Sequence, residues 1–302
     1  MSRSRVALAL AVLLPVALAA CGSSPHRATG PVSVVSVPVR TARTTLGTVE
    51  YRIAGSGPPL VMIMGYAGTM ETWDPRFVDA LARRHRVVIF DNAGIGQTQT
   101  LPSPLTIDAM ADQTGALIEA LGFKQADVLG WSMGSMIAQA LAVRYPAQVR
   151  RLVLCAAFPG TGPVVEPSQG AVRALTSGNS QEVQAVLYPA DQAKAYDAFT
   201  AAIARYPSPP TVPQTVIAAQ AQAIRMWWSG TDPAGRTIAS ISQPTLVADG
   251  RIDQIDAIAN SYAVARLIEG ARLVFYPDAG HAFLFQDGTG FVGLVESFLS
   301  GH

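Results

Sequence analysis

Gly130-Trp131-Ser132-Met133-Gly134 follows directly on the apolar run Ala126-Asp127-Val128-Leu129 and opens into a helical pattern that reaches Tyr145. A serine with glycine two positions away on either side, between a strand and a helix, marks a tight turn that lifts its hydroxyl above the end of a sheet. The glycines have a steric purpose. Such a turn forces the serine into strained backbone angles and brings neighbouring backbone too close for side chains at 130 and 134. The helix behind the turn aims its first N–H groups at negative charge developing near the serine. Ser132 is therefore the candidate nucleophile.

Outward from this turn, short apolar runs alternate with longer helical patterns. Leu60–Met64, Arg86–Phe90, Leu152–Cys155, Thr245–Ala248 and Leu273–Tyr276 are four or five residues long and lack the polar alternation of half-exposed strands. Parallel strands buried on both faces look like this. Val37–Arg43 and Thr48–Ile53 show period-two character around Leu46-Gly47 and predict a hairpin, with Pro38 placing the first strand at an edge. Helical patterns such as Thr106–Leu121 fill the intervals, so the fold class is α/β, a mostly parallel doubly wound sheet. The rhythm breaks over residues 159–242, which hold Ala-rich helical stretches (180–187, 191–206, 212–228) and prolines but no strand. This segment is expected to be an inserted helical cap, with residues 36–158 and 243–302 forming the core.

A hydroxyl needs a base to take its proton, and histidine suits that task near neutral pH. Of the four histidines, His26 lies near the amino terminus, His302 is the last residue, and His85 is expected on a surface turn among Arg83, Arg84 and Arg86. His281 remains, on the loop after the last strand. The base in turn needs an acid to fix its tautomer. Asp249, Asp253 and Asp256 follow the strand Thr245–Ala248; Asp253 at the loop's crest is the leading candidate and Asp256 its competitor. The backbone N–H groups of Met133 and of Tyr66, in Met64-Gly65-Tyr66-Ala67-Gly68-Thr69, are the candidate oxyanion donors. Tyr66, Trp131, Trp227 and Trp228 are candidate walls of a substrate pocket. The near-absence of charge in Met226-Trp227-Trp228 points to a small, apolar or uncharged substrate.

Composition narrows the class. Over 302 residues the net charge is +1, with 49% hydrophobic and 14% charged residues, which excludes a disordered chain and gives no electrostatic footing for nucleic acid. Cys21 and Cys155 are too few for a disulfide scaffold and lack zinc-site spacing, so no metal is expected. Arg3 and Arg5 precede an uncharged, mostly apolar run from Val6 to Ala20 that is short for a bilayer span and suits a signal peptide over residues 1–20. Its end, Leu18-Ala19-Ala20-Cys21-Gly22-Ser23-Ser24, resembles the lipobox of bacterial lipoproteins. That resemblance implies cleavage before Cys21, lipidation of its thiol with chains such as palmitate, and residence on the extracytoplasmic face of the cell membrane. Residues 21–35, rich in Gly, Ser and Pro, are expected to be a flexible tether.

Five motifs in order carry a wider resemblance: Gly65-Tyr66-Ala67-Gly68, Asp91-Asn92-Ala93-Gly94-Ile95-Gly96, Gly130 to Gly134, Gly250-Arg251-Ile252-Asp253, and Gly280-His281. From about residue 45 to 299 the chain resembles the α/β-hydrolase superfamily, in its esterase- and haloperoxidase-like branch. The order Ser132, Asp253, His281 is the chain order of that fold. The resemblance implies a Ser-His-Asp serine hydrolase that needs no cofactor and acts on a carboxylic ester through an acyl-enzyme. C–C bond hydrolysis, peptidase or perhydrolase chemistry with the same triad, or ligand binding without turnover, remain the alternatives. Two departures stand out: Met64 where the family usually has histidine, and Ala93 where it usually has arginine.

Overall fold

The computed structural model describes residues 32–301. The apolar run of residues 1–20, Cys21 and the first part of the expected tether lie outside the described residues. Eight strands form one sheet: β1 (Arg40–Thr44), β2 (Gly47–Ala54), β3 (Pro59–Ile63), β4 (Arg86–Phe90), β5 (Ala126–Trp131), β6 (Val149–Cys155), β7 (Thr245–Gly250) and β8 (Arg272–Tyr276). Their spatial order is β1-β2-β4-β3-β5-β6-β7-β8. β1 and β2 form an antiparallel hairpin, and β2 runs antiparallel to β4. From β4 onward all neighbours are parallel. The chain goes from β3 to β4 on one side and then returns to place β5 on the other, so a crevice opens at the carboxyl ends of β3 and β5.

Before the sheet's central crossing lies α1 (Pro75–Leu81), and α2 (Ile107–Ala120) and α3 (Met133–Arg144) flank the β5 strand in sequence. Thr106 caps α2 by accepting from Ala109 N–H, which fixes the helix start. The cap carries α4 (Gln169–Leu175), α5 (Ser180–Leu187), α6 (Ala193–Ile203) and α7 (Gln214–Trp228), all between β6 and β7. The chain closes with α8 (Ile258–Leu267), the short α9 (Phe283–Gln286) and α10 (Gly288–Ser300). β5 is buried along its whole length, as its uninterrupted apolar run requires.

Three local expectations change. β1 starts at Arg40 and not Val37, because the Val37 carbonyl is taken by the Arg52 guanidinium. Residues 33–35, at the end of the expected tether, are already fastened: Ser33 Oγ and Val34 N–H both donate to the Asp79 carboxylate, and Val34 is buried. His85 is no surface residue but is buried, with Nε2 3.3 Å from Glu296 Oε1.

Candidate active site

Ser132 is the residue between β5 and α3, at φ 57° and ψ −123°. The turn is closed by hydrogen bonds from Ser132 N–H to Cys155 O and from Ser135 N–H to Ser132 O. A Cβ at Gly130 would lie 2.2 Å from Gly134 O, and one at Gly134 would lie 2.0 Å from Ile63 O. Only glycine fits at either place, which is the physical content of the motif.

Asp253 and His281 come from the loops after β7 and β8. The Asp253 carboxylate receives Ile255 N–H and Asp256 N–H on Oδ1, at 2.6 and 2.8 Å. Its Oδ2 stands 2.7 Å from His281 Nδ1, with both side chains buried. A carboxylate so placed fixes the tautomer with hydrogen on Nδ1 and leaves Nε2 for proton transfer. The His281 carbonyl accepts from the Trp131 indole at 3.0 Å, and the two rings lie 5.5 Å apart. Trp131 is thus a support for the histidine loop as well as a wall near Ser132.

The other two aspartates sit behind this pair. Asp249 is the penultimate residue of β7, and its Oδ2 accepts from Ser261 Oγ at 2.8 Å. Asp256 accepts from Asn260 Nδ2 at 2.8 Å. Burial pushes the carboxyl pKa of both well up, and the proximity of each to other carboxylates adds to it. Asp256 lies two residues before the start of α8.

The loop after β3 approaches Ser132 closely: a Cβ on Gly65 would stand 3.1 Å from Ser132 Cβ. Three side-chain bonds hold this loop. Asn92 Nδ2 donates to Met64 O, Asp91 Oδ1 accepts Met70 N–H, and Gln220 Oε1 accepts Ala67 N–H. Ala67 has φ 56°, so its N–H is held in an unusual backbone conformation. Gln220 is fully buried and comes from α7 of the cap, 153 positions along the chain. Nothing in its sequence surroundings marks it. Met64, in place of the usual histidine, is buried, with its thioether beneath Gly68.

Two cavities meet at Ser132. One, of about 150 Å³, is walled by Gly65, Tyr66, Trp131, Leu187 and His281 among others. The other, of about 430 Å³, runs under the cap along Tyr66, Met133, Phe158, Ile224 and Trp228. Ser132 and Tyr66 belong to both. Trp227 departs from expectation. It is fully buried and donates its indole N–H to Phe158 O, so it packs the cap onto the core while its neighbour Trp228 faces the cavity.

The alpha/beta hydrolase fold family matches residues 58–288, and the chain belongs to it. A Caulobacter sp. (strain K31) protein named for carbamate hydrolysis, RutD, is 30% identical over 273 residues, spanning 84% of this chain and 98% of the relative. The 2-hydroxymuconate semialdehyde hydrolase of Pseudomonas sp. (strain CF600) is 29% identical, over 82% of this chain and 88% of its own. Among solved structures, an alpha/beta hydrolase fold protein from Chitinophaga pinensis superimposes with TM-score 0.77 at 25% identity, covering 90% of this chain and all of that one.

Proposed function

We propose that the protein is a serine hydrolase that cleaves carboxylic esters through an acyl-enzyme. The observation that carries this is Ser132, held at positive φ above the sheet and sharing a cavity with a histidine whose other nitrogen is 2.7 Å from a buried carboxylate. In this reading His281 Nε2 takes the proton of Ser132 Oγ as the oxygen attacks the carbonyl carbon. The N–H groups of Met133 and Tyr66 receive the oxyanion, and Asp253 stabilises the imidazolium. His281 then protonates the leaving alkoxide and afterwards activates the water that resolves the acyl-enzyme. Membership of a hydrolase family and relatives named as hydrolases support the coarser part of the reading.

The test is initial rates of the full-length protein on p-nitrophenyl esters of increasing acyl length, beside Ser132→Ala. The variant is expected to lose at least about a thousandfold in kcat, the scale on which a triad nucleophile matters. Residual turnover above that level defeats the proposal. Failure of the folded wild type on every ester redirects it to C–C or peptide bonds.

The reading extends to location: a lipid on Cys21 holds the hydrolase at the outer face of the cell membrane. Cys21→Ala is expected to abolish incorporation of labelled palmitate and to move the protein from the membrane to the soluble fraction; unchanged fractionation removes the anchor.

A further inference from the structure

The two cavities at Ser132 differ in charge. The smaller, on the His281 side, has no Arg, Lys, Asp or Glu in its wall. The larger is mostly apolar, and Arg173 of α4, Arg225 of α7 and Glu166 are the charged residues in its wall. Both arginines are exposed, and among the described residues neither has a carboxylate within ion-pair distance, Glu166 included. Arg225 bonds only Gln222 Oε1 of its own helix, at 2.9 Å. Arg52, which is buried, pairs with Glu71, and the more exposed Arg144 and Arg150 pair with aspartates. Two guanidinium groups without a carboxylate partner thus stand in the wall of a mostly apolar cavity that Ser132 also lines, Arg225 near enough to Tyr66 to act on its phenol.

Proton transfer assigns the ends. The leaving alkoxide must take its proton from His281, so the alcohol belongs in the small cavity that His281 lines, and the acyl chain belongs in the large one. We propose that the substrate is the monoester of a dicarboxylic acid with a small alcohol, its free carboxylate held by Arg173 and Arg225. This rests on the ester-hydrolase reading and replaces the uncharged substrate suggested by Met226-Trp227-Trp228. The methylenes lie against Met136, Phe158, Ile224 and Trp228, while the carboxylate meets planar, fork-shaped donors at the rim, where it stays wet and its desolvation cost is small. The chemistry balances. Ser132 Oγ bonds the ester carbon as the C–O bond to the alcohol breaks, the serine proton leaves on the alcohol through His281, and water then releases the diacid and restores Ser132.

The test compares, by proton release at constant pH, the monomethyl esters of adipate, suberate and sebacate with methyl esters of the monocarboxylic acids of the same lengths. The readout is the ratio of kcat/KM, anionic over neutral, so loss of folded protein cancels. The wild-type ratio is expected to exceed about tenfold at the fitting length. In Arg173→Ala/Arg225→Ala it is expected to fall by about tenfold or more, in the double lysine variant to fall less, and in high salt to shrink. Turnover of neutral esters with a ratio near one in the wild type, or a ratio unmoved in the double alanine variant, overturns the proposal and leaves the hydrolase reading standing. If no ester is turned over, the ester-hydrolase reading fails. Calorimetry with suberate then judges the arginine site by itself: binding lost in the double alanine variant keeps it, and equal binding removes it.

Discussion

Asp253 and Asp256 stand three positions apart on one loop, yet their carboxyl groups face different partners. Asp253 receives two backbone N–H groups on one carboxylate oxygen and faces the imidazole with the other. Asp256 is buried beside Asn260 and Ser261, and burial favours its protonated form. Asp253→Asn is therefore expected to lower kcat by about a thousandfold or more, because the amide no longer fixes the base's tautomer. Asp256→Asn, a neutral replacement for a group whose protonated form burial favours, is expected to keep kcat within about tenfold. Steady-state rates on one ester decide; equal losses in both variants contradict the assignment. Ser132, Asp253 and His281 were legible because each rests on local signals: glycine spacing, a loop after an apolar run, a short supply of histidines. Position alone ranked Asp253 above Asp256, but only the 2.7 Å contact separates them. Trp227 and Trp228 were not separable at all, since adjacent residues on a helix point about 100° apart and the sequence does not say which face is covered.

Elements were more legible than their neighbourhoods. All eight strands follow from apolar runs or the hairpin pattern, and the ends moved by only a few residues, as at Val37, where a side chain claims a carbonyl the ladder would have used. Strand order and the bonds between distant elements have no local signature. The tie between α7 and the loop after β3 is the example that bears on chemistry, because Gln220 reaches across the cap to hold Ala67 beside Tyr66. Gln220→Leu takes away the acceptor of the partly buried Ala67 N–H and frees the loop that carries one proposed oxyanion donor. A fall in kcat of about tenfold to a hundredfold, with little change in KM, is expected, since only transition-state charge is affected. Gln220→Glu, which keeps an acceptor, should lose less. A change confined to KM would mean that Gln220 shapes the pocket and not the donor.

Over the whole molecule, buried acid sets the response to pH. Burial pushes the Asp91 carboxyl up to about 7, against the help of Met70 N–H, and Glu71 and Glu50 nearby add to the rise. Between the ordinary aspartate value near 4 and about 7 the folded chain keeps a proton that the unfolded chain has released. Stability from this group is therefore full at low pH and is lost as pH rises through that window. Asp232, also pushed up to about 7 by burial and by Asp108, acts in the same direction. Melting temperature is expected to fall from about pH 5 to about pH 8, and Asp91→Asn, whose Oδ1 still accepts Met70 N–H, should flatten the fall. A variant with the same slope as wild type assigns the pH response elsewhere. The strained serine has a consequence on the longer clock of inheritance. A side chain held at φ 57° costs about 1–3 kcal/mol that glycine would not. A lineage whose members only captured ligands would drift toward glycine here and grow hardier for it. On the proposed reading, the chemistry of that oxygen is what offsets the cost of the turn.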